Sequence, residues 1–183
     1  YAATRRQFNT PITNFGAIGH KLAEMTIRAY AVESALYRTA GLIEDAIGDR
    51  GHDPSVVAAA LEEFAIESSV LKVAGSEMID FVVDENVQIH GGNGFVRDYP
   101  AERQYRDARV NRIFEGTNEI NRLLVPGMLA KRAVKGTLPL IPAAKRLQDE
   151  LLSGMPAASD DGADALALAA RTVAAMKKAA LMV

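Results

Sequence analysis

The chain has 183 residues, 49% of them hydrophobic, and its 21 Lys and Arg against 23 Asp and Glu give a net charge of −2. This balance is typical of a globular protein and lacks the basic excess with which nucleic-acid-binding proteins neutralise phosphates, so we expect no nucleic-acid partner. Cysteine is absent, which excludes disulfides, thiolate catalysis and thiolate metal sites. Any chemistry must therefore come from carboxylates, histidines, hydroxyls, amides or a bound cofactor.

The apolar runs and the two ends of the sequence bear on where the protein acts. No apolar run approaches the ~18–20 residues of a transmembrane helix, and the start of the sequence shows no signal-peptide pattern. We therefore expect an intracellular protein without a transmembrane segment. The sequence begins without Met or a helix cap and stops without a C-cap signal, so it is expected to be a fragment of a longer protein.

Helical periodicity dominates the first half of the chain. Apolar residues recur mostly every three or four positions over 18–47, which predicts a long amphipathic helix. A second long helical stretch is predicted over 54–90 by the same pattern. A break in this second stretch is expected near Ser68 and Ser69, or at Gly75.

Glycine and proline mark the turns between the remaining helices. Three glycines in 91–94 end the second stretch, because they expose the backbone and permit positive φ. A short helix is predicted to open at Tyr99 and Pro100. Thr117 is the predicted N-cap of a further helix, which Pro126 kinks or ends.

The last part of the chain carries two further amphipathic stretches, over about 143–153 and 163–182, beyond a boundary near residue 136. No segment alternates apolar and polar residues for long enough to predict a strand. We therefore predict an all-α antiparallel helical bundle over 1–136, with additional C-terminal helices over 137–183.

Histidines and glycines give weak site signals by themselves. A di-iron bundle needs Glu three residues before His, and none of the three histidines has one, so no metal site is predicted. The segment 92–94 begins like a dinucleotide fingerprint, but the last glycine is missing and a helix precedes it where a strand is required. This segment is either a helix C-cap or a backbone loop that approaches a ligand closely.

Charged residues leave further alternatives open. The pair Arg5 and Arg6 either clamps a phosphate or is solvated. Glu115 stands just before a helix start, where an apolar neighbour raises a carboxylate pKa toward the range of a general base and the helix N-terminus lowers it. It is thus either a base or an ordinary helix-start acid. A salt-bridged helix face is favoured for four arginines that recur every third residue: Arg103, Arg106, Arg109 and Arg112.

Five segments together form a pattern that none of them carries alone: Tyr1 and Ala2 with Arg5 and Phe8, then 21–25, 88–95, 99–107 and 113–120. In this order they resemble the C-terminal helical domain of the acyl-CoA dehydrogenase family, over about residues 1–130. Residues 14–18 and 114–119 are similar to its very-long-chain branch. That branch carries an additional C-terminal helical region, of which 137–183 would be the start.

The resemblance implies FAD-dependent oxidation of a fatty acyl-CoA to a trans-2-enoyl-CoA, as in fatty-acid β-oxidation. Glu115 would be the base that removes the substrate α-proton, while its own N–H helps to polarise the thioester carbonyl and the β-hydride passes to flavin N5. Phe114 and Gly116 would line the thioester. Thr117 and Glu119 would approach the FAD.

Members of the family also contact the FAD of a neighbouring subunit, which implies a homo-oligomer, either a dimer or a tetramer. The residues at the positions that meet the diphosphate and adenine of that FAD are Arg5, Phe8, Gln88, Ile89, His90, Gly91 and Gly92. The implied electron acceptor is an electron-transferring flavoprotein. An acyl-CoA oxidase-like relative and a non-catalytic helical assembly module are the alternatives.

The family's N-terminal helical domain and middle β-domain, which hold most of the flavin ring, have no counterpart in these 183 residues. The chain alone is therefore expected neither to hold FAD tightly nor to turn over acyl-CoA. The resemblance favours the bacterial cytoplasm as the location, or the mitochondrial matrix if the source is eukaryotic.

Overall fold

A computed structural model describes residues 1–154 and 164–182. Its described part is mostly helical, and the predicted all-α fold is confirmed. Seven α-helices follow one another along this part of the chain: α1 Gly16–Ile47, α2 Pro54–Glu63, α3 Ala65–His90, α4 Ala101–Arg109, α5 Asn118–Val134, α6 Leu140–Leu152 and α7 Ala165–Ala180. Short 3-10 turns lie at Ile12–Asn14, Gly48–Arg50, Gly91–Gly94 and Val110–Arg112.

A small hairpin precedes the helices, and the prediction that the chain holds no strand is wrong here. The antiparallel strands β1 (Arg6–Gln7) and β2 (Thr10–Pro11) have two residues each. Phe8 and Asn9 form the turn between them with φ of 50° and 64°. Positive φ at both turn residues is the geometry that matches the twist of paired strands. Strands of two residues are too short to show an alternating pattern.

The break in the second helical stretch lies at Phe64, and the prediction of a break near Ser68 and Ser69 or at Gly75 is wrong. Phe64 has φ −96° and ψ 19°, and its N–H donates to Ala60 O at 3.2 Å. The Ser68 hydroxyl donates to Phe64 O at 2.9 Å, so this serine is satisfied inside α3 and does not interrupt it.

The helix α5 continues past Pro126 to Val134. Of the two predicted effects of this proline, ending the helix is therefore wrong, and kinking it stays a prediction. A proline removes one backbone hydrogen bond, and the bonds of the flanking turns are enough to hold the segment helical. The start of α5 agrees with the sequence, since Thr117 Oγ1 accepts a hydrogen bond from Ile120 N at 3.1 Å.

The chain divides into two compact units, Tyr1–Gly127 and Met128–Val183. In the first unit α3 is central and packs against α1, α2 and α4. Its buried apolar residues include Val83 and Ile89 of α3. Lys21 of α1 forms an ion pair with Glu85 of α3. The boundary near residue 136 stays a prediction.

In the second unit the helices α6 and α7 lie where the two amphipathic stretches over 143–153 and 163–182 were predicted. Asp164 caps α7 by accepting a hydrogen bond from Ala167 N at 2.7 Å. Lys178 of α7 forms an ion pair with Glu150 of α6. Residues 155–163, which include the segment between the two predicted stretches, lie outside the described residues. No helix of the described chain has both the length and the apolar character of a membrane span.

Candidate active site and cofactor-binding segment

The start of the chain is held against the end of α3 by an aromatic contact. The Tyr1 ring stacks on the His90 imidazole with 4.1 Å between ring centroids and 23° between ring planes. The Tyr1 hydroxyl donates to His90 O at 3.2 Å and accepts from Asn93 Nδ2 at 2.9 Å. His90 Nδ1 lies 2.7 Å from Asn86 O, which orients the imidazole ring. These contacts place the segment before β1 beside the α3 C-terminus.

A pocket of about 340 Å³ forms where these two segments meet. Arg5 lines it together with all five predicted residues of 88–92, so the structure brings most of the predicted cofactor residues together. Phe8 is not among its lining residues within the described chain. It stands in the hairpin turn, 83% exposed, with its ring nearly perpendicular to the Phe15 ring at 6.4 Å between centroids. The full lining is Tyr1, Arg5, Gln7, Ile12, Gln88, Ile89, His90, Gly91, Gly92 and Asn93.

The three glycines after α3 differ in whether and why the structure requires glycine at their positions. Gly91 ends the helix with φ 58°, a backbone conformation that residues with a side chain rarely adopt. A Cβ on Gly94 would lie 2.5 Å from Val87 O, so this turn packs too tightly for any side chain. A Cβ on Gly92 would meet no atom within 4 Å. The segment is therefore a helix C-cap, and Gly92 also leaves open backbone at the pocket.

The donor groups of this pocket suit an anion such as the FAD diphosphate. Arg5 is exposed and supplies a guanidinium, which binds phosphate oxygens with two parallel N–H groups. Exposed backbone at Gly91 and Gly92 allows close approach of a ligand. By contrast, the Arg6 guanidinium donates to Asn9 O at 2.6 Å within the hairpin. The two arginines thus have different roles, and only Arg5 lines the pocket.

A second pocket of about 360 Å³ lies between the middle of α3 and the loop before α5. Two predicted residues, Phe114 and Glu115, line its loop side. Both are exposed, so the described chain does not itself desolvate the Glu115 carboxylate. The full lining is Leu71, Lys72, Gly75, Ser76, Met78, Ile79, Asn111, Phe114 and Glu115.

The loop that carries Glu115 has an unusual backbone. Glu115 has φ 54° and Gly116 has φ 81°. Positive φ at a residue other than glycine is uncommon, and such residues cluster at functional sites. The side chain of Asn121 holds the loop, since its Nδ2 donates to Gly116 O at 3.0 Å and to Thr117 O at 3.1 Å. The backbone around Glu115 is therefore fixed from within α5.

Glu119 lies exposed in the first turn of α5. A hydrogen bond from its own backbone N–H holds the pKa of its carboxyl below the ordinary value, and the Thr117 hydroxyl and the charges of Arg112 and Arg122 act in the same direction. Thr117, Gly116 and Glu119 are not among the residues that line the Glu115 pocket within the described chain. Their predicted contacts with FAD and thioester stay predictions.

A buried polar cluster behind the loop was not predicted. Asn118 is 1% exposed, and its Oδ1 accepts a hydrogen bond from Lys72 Nζ at 2.7 Å. Its Nδ2 donates to Ser76 Oγ at 2.9 Å. Lys72 and Ser76 are four residues apart and therefore share one face of α3. Their spacing is visible in the sequence, but their partner lies more than 40 residues away.

The arginine series at 103–112 does not form the predicted salt-bridged helix face. The single ion pair that this series makes within residues 1–154 and 164–182 joins Arg112 Nη1 to Asp80 Oδ2 of α3 at 2.6 Å. Arg112 stands in the 3-10 turn after α4, which points it toward α3. No group of three or more acidic or histidine side chains able to hold a metal occurs in the described part.

Comparison with known proteins confirms the resemblance to the acyl-CoA dehydrogenase family. Residues 1–129 match the family described as acyl-CoA dehydrogenase, C-terminal domain. A probable acyl-CoA dehydrogenase from Bacillus subtilis (strain 168) is 52% identical over 160 residues, covering 85% of this chain and 27% of that protein. The very long-chain specific mitochondrial acyl-CoA dehydrogenase of Rattus norvegicus is 41% identical over 125 residues, covering 68% and 17% respectively.

A solved structure is also similar. The crystal structure of an acyl-CoA dehydrogenase complexed with FAD from Bacillus anthracis has a TM-score of 0.93 and 50% identity, and the match covers 100% of this chain and 31% of that one. The chain thus spans less than a third of the length of these relatives. By its sequence match and its helical fold, the chain belongs to the acyl-CoA dehydrogenase family, as a C-terminal domain.

Proposed function

We propose that this chain is the C-terminal domain of an FAD-dependent acyl-CoA dehydrogenase, which converts a fatty acyl-CoA to a trans-2-enoyl-CoA in fatty-acid β-oxidation, with Glu115 as the catalytic base. The observation that carries the proposal is the position of Glu115. It stands at positive φ on the edge of a pocket, three residues before α5. Family membership of the chain supports the reaction class.

The groups of the loop before α5 have separate roles toward the substrate in this proposal. The Glu115 carboxylate accepts the α-proton of the acyl-CoA, and the proton stays on that carboxylate after the C–H bond breaks. The Glu115 N–H donates to the thioester oxygen, where negative charge develops as the proton leaves. Phe114 and Gly116 line the thioester. When bound, FAD supplies the acceptor for the β-hydride.

Glu115 lies within one turn of the start of α5, where backbone N–H groups carry partial positive charge.

The two pockets support contact with two FAD molecules in a homo-oligomer, dimer or tetramer. Within the described chain they have no lining residue in common. Arg5 and the segment Gln88, Ile89, His90, Gly91 and Gly92 would hold the diphosphate and adenine of one FAD, with Phe8 beside them. Thr117 and Glu119 would approach the flavin of another. A complete FAD site therefore needs other parts of the protein and a second subunit.

An electron-transferring flavoprotein is the proposed electron acceptor, and the bacterial cytoplasm is the proposed location. The relative from Bacillus subtilis supports a bacterial source. Residues 137–183 are proposed to begin an additional C-terminal helical region. The very-long-chain branch is the proposed place of the chain within the family, supported by the similarity to the Rattus norvegicus protein.

Product analysis of the complete protein tests the proposal. The FAD-loaded protein is incubated with acyl-CoA and an artificial electron acceptor under anaerobic conditions, and trans-2-enoyl-CoA is measured. Stoichiometric enoyl-CoA is the expected product. Its absence from a fully FAD-loaded protein would favour a non-catalytic assembly role. Rapid turnover with oxygen as the sole acceptor would identify an oxidase.

A further inference from the structure

The side chains of Lys72, Ser76 and Asn118 join α3 to the first residue of α5, and we call these three residues the α3–α5 bridge. We propose that the bridge is a positioning device for Glu115: it sets the place of the base relative to the wall of its own pocket. This inference rests on the proposed function, because it takes Glu115 as the base. Asn118 is the positioning residue at the centre of the bridge.

Asn118 makes hydrogen bonds at both ends of its amide. Its Oδ1 accepts from Lys72 Nζ at 2.7 Å, and its Nδ2 donates to Ser76 Oγ at 2.9 Å and to Glu77 Oε1 at 3.4 Å. The Ser76 hydroxyl proton is then free to donate to Val73 O at 3.0 Å. A buried amide is costly to leave unpaired, so this set of bonds holds one geometry strongly.

The bridge lies close to Glu115 along the chain and in space. Asn118 follows Glu115 by three residues, and the residues between them include Gly116 at φ 81°. A loop with two successive positive φ values needs outside contacts to keep it in place. Asn121 holds its carbonyls from within α5, but those bonds leave α5 and its loop free to shift as one piece. The bridge ties that piece to α3 through the buried side chain of Asn118, and the exposed ion pair between Arg122 and Glu77 joins the same two helices one turn further along α5.

The same α3 residues also form the pocket. Lys72 and Ser76 line the wall that faces Glu115. One set of hydrogen bonds therefore connects the base, through Asn118, to the surface against which a substrate would lie. A shift of α5 along α3 would change the distance between the carboxylate and the substrate α-carbon without removing any group from the site.

A misplaced base slows proton removal more than it weakens binding. A displacement near 1 Å is enough to lower a rate by about 100-fold, because proton transfer needs close approach of the reacting atoms. Substrate binding draws on many contacts along the acyl-CoA and should change little. The bridge therefore predicts a loss in kcat with a nearly constant KM.

The test uses the complete FAD-loaded enzyme with Asn118→Ala and Lys72→Met. Lys72→Met removes only the ammonium and keeps the apolar stem of the side chain. It therefore tests the role of the bridge if Asn118→Ala fails to fold. We expect kcat to fall by about 10- to 100-fold in each variant, with KM unchanged within a few-fold and FAD content at the wild-type level. The deuterium isotope effect of an α-deuterated acyl-CoA on kcat should rise. Asn118→Asp keeps an acceptor for Lys72 and should recover part of the kcat lost in Asn118→Ala.

Lys21→Met is the matched control, because it makes the same chemical change at a lysine that ties α1 to α3 through Glu85. We expect it to lower the melting temperature and leave kcat unchanged. The proposal is overturned if Asn118→Ala and Lys72→Met keep wild-type kcat while Glu115→Gln abolishes turnover. It is also overturned if their kcat falls only in step with FAD content, as for a purely structural role. Full turnover by Glu115→Gln would instead refute Glu115 as the base, the part of the proposed function on which this inference rests.

Discussion

Tyr1 and His90 stack with their ring centroids 4.1 Å apart, although 88 residues separate them in the chain. Tyr99 meets both rings edge-on, at 5.7 Å from Tyr1 and 5.9 Å from His90. This aromatic cluster fixes the segment that carries Arg5 beside the glycine turn after α3. The proposed diphosphate site therefore depends on a contact made by neither the arginine nor the glycines.

Replacing Tyr1 in the complete protein should loosen this pocket. Tyr1→Leu removes the stack on His90 and both hydroxyl hydrogen bonds, so we expect FAD to dissociate faster during dialysis. Tyr1→Phe keeps the stack and loses only the bonds to His90 O and Asn93, so its FAD retention should lie between Tyr1→Leu and wild type. Flavin absorbance after dialysis measures the difference. Equal retention in all three proteins would show that the cluster does not shape the FAD site.

The same substitution at Arg5 and at Arg6 tests whether Arg5 binds the FAD diphosphate, with Arg6 as the control. Arg5→Gln removes a cation from the pocket and should weaken FAD binding by about 10-fold or more, the loss expected for a charge-assisted hydrogen bond. Arg6→Gln removes the same charge from a side chain that bonds Asn9 O in the hairpin, so FAD affinity should change little. Titration of the apoprotein with FAD checks both. Equal losses in both variants would mean that only the net charge matters.

Gly94 and Gly41 differ in the space that a Cβ added at each position would have. Gly94→Ala would place Cβ 2.5 Å from Val87 O, and the required backbone shift should destabilise the protein by roughly 1–3 kcal/mol. Gly41→Ala lies inside α1 with no atom within 4 Å of its Cβ, and should stabilise the helix by about 0.4–1 kcal/mol. Thermal denaturation should therefore shift in opposite directions. A stable Gly94→Ala protein would contradict the tight turn.

The ion pair between Glu77 and Arg122 predicts an acid-sensitive contribution to stability. Arg122 Nη1 and Nη2 lie 2.6 and 2.9 Å from the two Glu77 carboxylate oxygens, and this pairing holds the pKa of Glu77 below its ordinary value of 4.5, against the opposing effect of burial. Because the folded pKa is lowered, the unfolded chain binds protons more readily. The pair therefore stabilises the fold above pH 4.5 and loses that effect as the pH falls through the folded pKa.

We expect Glu77→Gln to lower the thermal midpoint at pH 7, and the difference from wild type to shrink as the pH falls from 4.5 through the lowered folded pKa of Glu77. Glu67→Gln is the control, since it neutralises an exposed carboxylate in the first turn of the same helix. It should not reproduce this pH dependence. A wild-type to Glu77→Gln difference that stays constant over that range would contradict the role of the ion pair.

Local signals in the sequence predicted much of this fold. The apolar repeat over 18–47 matches α1 within two residues, and the Thr117 hydroxyl caps α5 as expected. Phe64 breaks the second helical stretch although an apolar residue there continues the helical pattern. The hairpin around Phe8 was too short to detect. Local patterns thus predicted where helices form, while the exact break depended on packing.

The candidate site shows the same division. Residue type and spacing left the roles of the two motifs open, and the resemblance to the family supplied them as predictions; the structure places Arg5 with 88–92 at one pocket and Phe114 with Glu115 at another. The positive φ of Glu115 could not be predicted from the sequence, because glutamate is not among the residue types that favour this backbone conformation. The pairing of Asn118 with Lys72 joins residues 46 positions apart, and only the packing of α5 on α3 makes it visible. Long-range polar contacts of this kind lie beyond any motif.

Glu115 as the base is tested by the rate at which acyl-CoA bleaches the flavin absorbance of the complete protein under anaerobic stopped-flow conditions. Wild type and the control Glu67→Gln should bleach at the same rate. Glu115→Gln should bleach about 10²- to 10⁴-fold more slowly at equal FAD content, because the general base is lost. Bleaching of Glu115→Gln at the wild-type rate would contradict the assignment of Glu115 as the residue that removes the α-proton.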